Sequence, residues 1–243
     1  MRNIKLVIEY DGTNYHGWQV QPNGLTVQEV LQEKIATMTR HRVHLAASGR
    51  TDAGVHALGQ VANFQTSASI PLEGFLYGLN SLLPPDIVIK SVAEVPPNFH
   101  AQSGAKRKTY RYQIFNSKTP SALYRHYSWY LPHPLDREAM QGAARFLLGR
   151  KDFSSFQGAD PAPISPVREI CKAEWSLETF LTFTIEGDGF LKHMVRNVVG
   201  TLVEVGKGRC SPEEFGKVIE ARDRRRAGMT APSRGLYLVA VVY

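Results

Sequence analysis

The amino-acid sequence predicts an α+β fold built from two split β-α-β domains. Short segments with apolar residues at every second position alternate with segments in which apolar residues recur at helical spacing. In the first part of the chain these segments follow the order β-α-β-β-α-β. The 243 residues are enough for two domains that each bury a core. We predict domains at 1–105 and 106–243, because Pro96, Pro97 and Gly104 interrupt the pattern between them.

The first domain begins with a strand, since apolar side chains alternate through residues 3–10. The segment Thr26-Val-Gln-Glu29 has the composition of a capping box and predicts the start of a helix. The other predicted elements of this domain are strands at 42–47 and 56–65, a helix at 71–83 and a strand at 87–95.

The second domain repeats this order with longer insertions. Its predicted elements are strands at 109–115 and 128–131, a helix at 136–148, strands at 168–177 and 179–186, helices at 190–205 and from 211, and a strand at 235–243. We therefore expect two ferredoxin-like domains whose antiparallel sheets join into one extended sheet, with the helices on one side. The second domain also carries the basic surface described below.

Composition excludes several classes of protein. The sequence contains no apolar run of the ~18 residues that a membrane-spanning helix needs and no secretory signal, so we expect a cytoplasmic protein without a membrane partner. Cys171 and Cys210 form no C-x-x-C motif, and the histidines lack metal-ligand spacing. Glycine spacing fits neither a Walker nor a dinucleotide motif. We expect no metal and no cofactor.

Positive charge is concentrated in the second part of the chain. The formal net charge is +7, of which residues 1–100 contribute −1 and residues 101–243 contribute +8. The segment 101–130 has no acidic residue, and tyrosines and a tryptophan lie between its basic residues. Its basic residues are Lys106, Arg107, Lys108, Arg111, Lys118 and Arg125. This pattern is typical of a nucleic-acid-binding surface, although a solvated basic strand would read the same way.

The segment Gly49-Arg-Thr-Asp-Ala-Gly-Val-His-Ala57 is the main candidate for chemistry. It joins two predicted strands and presents a single carboxylate, Asp52, that could act as nucleophile or general base. Arg50 could hold a phosphate or keep Asp52 ionised. The alternative is structural: an aspartate that caps a turn, an arginine in a surface ion pair and a structural His56.

The predicted helix at 190–205 carries Lys192, Arg196 and Gly200 at four-residue steps. These residues would share one helix face, which is cationic and then small. Such a face could approach a phosphate or a carboxylate. A solvated polar face is the alternative.

Seven blocks occur in a fixed order along the chain. They are Tyr10-Asp-Gly-Thr13, Tyr15-His-Gly-Trp-Gln19, Thr26-Val-Gln28, the 49–57 loop, Lys108-Thr-Tyr-Arg-Tyr112, Phe190-Leu-Lys-His-Met-Val-Arg-Asn197 and Ala231-Pro-Ser-Arg-Gly-Leu236. Together they resemble the TruA family of tRNA pseudouridine synthases over nearly the whole chain. One departure is Tyr15, where the family more commonly has phenylalanine.

The resemblance implies isomerisation of uridine to pseudouridine at positions 38, 39 and 40 of the tRNA anticodon arm, without a metal or an organic cofactor. It also implies a homodimer in which each tRNA contacts both subunits. Asp52 matches the family's catalytic aspartate, which attacks the target nucleoside at either the base or the ribose. Arg50 matches the arginine that helps displace the target nucleotide. Arg196 matches the ion-pair partner of the aspartate, and Tyr110 matches the tyrosine that stacks on the target base.

Two other functions fit the residues taken alone. A catalytically silent tRNA-binding module would need only the basic aromatic segment and the open sheet. An RNA-cleaving enzyme could use Asp52 with His56 as an acid-base pair. Substitution of Asp52 distinguishes the enzyme from the silent binder, and the mass of the product RNA distinguishes isomerisation from cleavage.

Overall fold

The computed structural model describes residues 1–159 and 165–243. The chain forms two compact units, one comprising Met1–Lys106 with Tyr237–Tyr243 and the other Arg107–Leu236. The strands are β1 (Arg2–Tyr10), β2 (Ala46–Ala47), β3 (His56–Thr66), β4 (Ile87–Val95), β5 (Arg107–Asn116), β6 (Trp129–Leu131), β7 (Gly149–Asp152), β8 (Val167–Leu177), β9 (Leu181–Gly187) and β10 (Leu236–Val242). The helices are α1 (Val27–Thr39), α2 (Leu72–Leu82), α3 (Arg137–Ala144), α4 (Met194–Gly206) and α5 (Pro212–Ala221). The predicted α+β class is confirmed.

In the first unit the strands lie in the order β4-β1-β3-β10, and β2 also pairs with β3. β1 is antiparallel to both of its neighbours, whereas β10 runs parallel to β3. The alternating residues Ile4, Leu6 and Ile8 are fully buried, as the period-two pattern predicts. Thr26 caps α1, since its Oγ1 accepts a hydrogen bond from the Glu29 backbone N–H at 3.4 Å.

Two strand predictions differ from the structure in this unit. Most of the expected strand at 42–47 is irregular, because α1 side chains take its carbonyl groups: Gln32 donates to Val43 O and Gln28 to Leu45 O, each at 2.9 Å. The last strand, assigned by sequence to the second domain, lies in the first unit. There Tyr237 pairs with His56 on β3.

In the second unit β9 lies between β5 and β8, and β7 lies on the far side of β8. These pairings are antiparallel, while β6 runs parallel to β5. α5 begins with the predicted capping box: Ser211 Oγ accepts from Glu214 N at 3.2 Å, and Ser211 N donates to Glu214 Oε2 at 2.7 Å. β7 was not predicted from the sequence.

Two helices of the second unit are shorter than predicted. α3 ends at Ala144, a short 3₁₀ turn follows, and Gly149 with φ +90° begins β7. α4 begins at Met194, four residues later than predicted, because His193 adopts a left-handed conformation with φ 61° and forms the N-cap. Lys192 therefore precedes the helix.

Candidate active site

The 49–57 loop joins β2 to β3 and is anchored at its start by a buried polar network. Ser48 is fully buried, and its hydroxyl donates to Gln60 Oε1 at 2.6 Å. Gln60 Nε2 in turn donates to Gly49 O at 2.9 Å. Because Gln60 lies on β3, the strand itself fixes the position of the loop's first residues.

Asp52 occupies the first position of a tight turn. Val55 N donates to Asp52 O at 3.1 Å, and Gly54 has φ +75°, a conformation that glycine adopts without strain. Gly54 N donates to Tyr15 O at 3.2 Å, so the turn is also bonded to the segment after β1. Asp52 is half-buried, and Arg50 on the same loop is exposed.

Thr51, the residue before Asp52, is bonded to both Trp18 and Tyr10. Trp18 N donates to Thr51 O at 3.1 Å, and the Thr51 hydroxyl lies 2.7 Å from the Tyr10 hydroxyl. Gly17 passes so close to the loop that a methyl group on it would lie 2.5 Å from Thr51 O. Backbone bonds and close packing therefore fix the backbone position of Thr51 and Asp52.

His56 has a structural environment. It is 2% exposed, and its Nδ1 lies 3.1 Å from Gly12 N and 3.1 Å from Asp11 Oδ1. Its ring stacks on Tyr237 with centroids 4.8 Å apart. These contacts fix the His56 ring, which therefore supports the loop. They favour the structural interpretation of His56 over the cleavage hypothesis.

The buried hydroxyl of Tyr10 gives a testable pH dependence. Burial raises the pKa of Tyr10 above its ordinary value of 10.0, and hydrogen bonds with Thr51 and Gln60 partly offset this rise. The unfolded chain then ionises first, so the stabilisation is complete below pH 10 and is lost as the pH rises above that value. We expect Tyr10→Phe to lower stability by about 1–3 kcal/mol at neutral pH through the lost hydrogen bond to Thr51.

The Tyr10→Phe variant should also lose less stability than the wild type between pH 9 and 11. The difference in slope is expected to reach at most about 1.4 kcal/mol per pH unit. Urea unfolding at several pH values measures both effects. Equal slopes in the two proteins would contradict the burial of an un-ionised Tyr10.

Tyr110 lies in the second unit, on β5 opposite Ile185 of β9. It is 7% exposed, and its ring meets Phe190 edge to face with centroids 5.0 Å apart. Tyr112 lies two residues further along the same face and donates its hydroxyl to Pro232 O at 2.7 Å. Burial raises the pKa of Tyr112, while the nearby charges of Arg196 and Arg234 act to lower it.

Arg196 is half-buried on α4 and is bonded to the 227–231 segment. Its Nε donates to Ala231 O at 2.7 Å, and Ala231 N donates to Arg196 O at 3.1 Å. Gly200 faces the same segment, and a methyl group there would lie 1.7 Å from Met229 O. Gly200 therefore lies against this segment and not in solvent, and Lys192 precedes α4, so the predicted helix face of Lys192, Arg196 and Gly200 does not form as a whole.

The predicted site residues thus fall in two groups. Arg50 and Asp52 share one loop of the first unit, and Tyr110 and Arg196 belong to the second. Sequence reasoning missed the supporting residues, namely Tyr10, Ser48 and Gln60 around the loop, together with Arg234 beside Tyr112. Of these four residues, only Tyr10 and Arg234 could have been identified from the sequence, because they lie within the blocks on which the resemblance rests.

Within residues 1–159 and 165–243, no group of three or more histidine, cysteine, aspartate or glutamate side chains is arranged to hold a metal ion. In the same ranges, no helix combines the length and the apolar character needed to cross a lipid bilayer.

Comparison with known proteins shows the family to which the chain belongs. A family profile described as tRNA pseudouridine synthase matches residues 6–102 and 143–243. Proteins named tRNA pseudouridine synthase A are 52% identical in Acetivibrio thermocellus, 50% in Pelobacter propionicus and 47% in Thermoanaerobacter sp. strain X514, with 100% of both chains aligned in each case. The chain belongs to the tRNA pseudouridine synthase family.

The resemblance drawn from the seven sequence blocks is confirmed by this membership, and so is the expectation of an isomerase. The matched ranges of the pseudouridine synthase profile include the 49–57 loop and Arg196, while Tyr110 lies between them. The roles of the four site residues remain predictions.

Proposed function

We propose that the chain converts uridine to pseudouridine at positions 38, 39 and 40 in the anticodon arm of tRNA, with Asp52 as the nucleophile. The observation that carries this proposal is the fixed backbone position of Asp52, the single carboxylate of the 49–57 loop. Asp52 lies in a glycine-containing turn that is bonded to Tyr15, and its neighbour Thr51 is bonded to Trp18 and Tyr10. A preorganised carboxylate is what attack on a nucleoside requires.

The reaction requires the target nucleotide to leave the stacked stem. Flipping costs a few kcal/mol and exposes the base and its C1′ carbon. In our proposal the exposed Arg50 fills the vacated space, and Tyr110 provides an aromatic ring for the base. Asp52 attacks the nucleoside at the base or at the ribose, and the N1–C1′ bond breaks. The base rejoins the ribose through C5, the bond to Asp52 breaks to restore the free carboxylate, and a proton is lost from C5 and gained at N1.

Arg196 is proposed to pair with Asp52 and to keep the carboxylate ionised. Its Nε bond to Ala231 O restricts the guanidinium plane, which favours a fixed ion-pair geometry. The net charge of +8 in residues 101–243 suits the phosphate backbone of tRNA. We further propose a cytoplasmic homodimer in which each tRNA contacts both subunits.

Nucleoside analysis tests the reaction class. An unmodified tRNA transcript incubated with the protein is digested to nucleosides and separated by chromatography with mass detection. Pseudouridine, which has the mass of uridine but a different retention time, is the expected product, and the intact RNA should keep its mass. Shortened RNA would instead establish cleavage, and unchanged nucleosides with tight binding would establish the silent binder.

Binding should weaken steeply with salt, because each neutralised phosphate releases counterions. If six phosphates are contacted, affinity is expected to fall by about 10³-fold between 50 and 200 mM salt. Fluorescence anisotropy of a labelled anticodon arm across this range measures the slope. A flat response would contradict a binding surface built from the basic second unit.

A further inference from the structure

The 227–231 segment packs on α4 with almost no space between the two backbones. A methyl group on Gly200 would lie 1.7 Å from Met229 O, and one on Gly228 would lie 3.0 Å from Thr201 Cα. Gly228 N also donates to Thr201 Oγ1 at 2.9 Å. Glycines at both positions therefore allow the segment to lie directly against the helix.

Both terminal nitrogens of the Arg224 guanidinium donate hydrogen bonds to this segment. Nη1 donates to Gly228 O at 2.9 Å and to Ala227 O at 3.2 Å. Nη2 donates to Asn197 Oδ1 at 3.1 Å and to Thr230 Oγ1 at 3.2 Å. The planar guanidinium of arginine, whose N–H donors have fixed directions, suits these four acceptors. The ammonium group of a lysine does not.

This hydrogen-bond network ends on α4 at the side-chain amide of Asn197. Asn197 is 0% exposed, and its Oδ1 also accepts from Thr230 Oγ1 at 2.6 Å. Its Nδ2 donates to Phe156 O at 2.8 Å. Arg224 thus joins the segment to the helix residue that directly follows Arg196.

The end of the segment fixes Arg196 itself. Ala231 is one residue beyond Thr230, and its backbone both accepts from Arg196 Nε and donates to Arg196 O. A shift of residues 227–231 would therefore move the acceptor that orients the Arg196 guanidinium. The path from Arg224 to Arg196 consists of hydrogen bonds and the peptide bond between Thr230 and Ala231, all within one unit.

We propose that Arg224 is a positioning residue for the isomerisation, because it clamps the 227–231 segment on α4 and thereby fixes the orientation of Arg196. This inference rests on the function proposed above. Arg224 acts on the rate of the chemical step through Arg196 and leaves tRNA binding nearly unchanged. The three neighbouring arginines have other environments than Arg224. Arg225 pairs with Asp223, Arg222 pairs with Asp152, and Arg226 is exposed.

A double-mutant cycle tests the proposal. Single-turnover pseudouridine formation and tRNA affinity are measured for the wild type, Arg224→Ala, Arg196→Ala and the double variant, with thermal unfolding of each. We expect Arg224→Ala to slow the single-turnover rate by about 10- to 100-fold, the range that a misplaced catalytic group produces, with affinity changed less than about twofold. In the Arg196→Ala background the same substitution should cause no further loss of rate.

Arg209→Ala provides the matched control, since it removes an arginine of the same unit that is exposed and paired with Glu204. Its rate should equal that of the wild type. If Arg224→Ala does not fold, Arg224→Lys and Thr230→Val weaken the same network more gently, and both should show the same dependence on Arg196.

Equal rate losses in both backgrounds, or a loss that follows the unfolded fraction alone, would overturn the positioning role. Full activity of Arg196→Ala would overturn it as well. A wild-type protein that forms no pseudouridine would instead refute the proposed function, so the two failures are distinguishable.

Discussion

Replacing Asp52 with alanine or asparagine is expected to abolish pseudouridine formation while tRNA affinity stays within a few-fold of the wild type. Loss of a nucleophile lowers turnover by a factor on the order of 10⁴ or more, and the other nucleophilic side chains of the loop, Thr51 and His56, are buried. The fold should persist, since the turn depends on the backbone carbonyl of Asp52, which both variants retain.

Glu73→Gln is the matched control for this experiment. It removes an exposed carboxylate of the same unit, from the first turn of α2. Single-turnover rates, tRNA affinity and thermal unfolding are compared across the variants. A rate above one tenth of the wild-type value in Asp52→Ala would exclude Asp52 as the nucleophile.

Replacing Tyr110 with leucine is expected to produce the second-largest loss. Stacking of a base on an aromatic ring contributes about 1–3 kcal/mol, so turnover should fall by about 5- to 150-fold. Leucine retains much of the apolar volume that packs against Phe190, which limits the cavity left in the unit. The measurement is the single-turnover rate at a protein concentration that binds all the tRNA.

Tyr77→Leu is the control for loss of a tyrosine, since Tyr77 is 70% exposed on α2. It should leave the rate unchanged. Wild-type turnover in Tyr110→Leu, with unfolding showing an intact protein, would remove Tyr110 from the site.

Much of the fold follows from local sequence signals. Period-two alternation locates β1, and the predicted bounds of β4 agree with the structure. The capping sequences at Thr26 and Ser211 mark the starts of α1 and α5 correctly. These elements are predictable because each depends on residues that are close in the chain.

The errors arise where distant residues decide the outcome. The segment before β2 is irregular because side chains of α1 bind its carbonyls, and residues 237–242 of β10 lie in the first unit, where Tyr237 and Leu238 pair with β3. The start of α4 depends on the left-handed backbone of His193, an uncommon conformation for a residue other than glycine. Periodicity carries no information about such contacts.

The candidate site divides in the same way. Asp52 and Arg50 are visible in the sequence because glycines on either side mark a tight loop that presents them. The contacts that support the site residues are not visible in the sequence. In the first unit Gln60 binds Gly49 from a strand, and in the second unit Arg224 binds Asn197, the residue after Arg196, across 27 positions. Sequence alone suggests which groups react, and the structure shows what holds them.

Mapping of the modified positions tests the proposal that Asp52 drives pseudouridine formation in the anticodon arm. An unmodified tRNA transcript with uridines at positions 38 to 40 is incubated with the wild type or with Asp52→Ala, treated to form pseudouridine adducts and mapped by reverse-transcription stops. We predict stops at these positions with the wild type and none with the variant. Stops elsewhere, or equal stops with both proteins, would contradict the account.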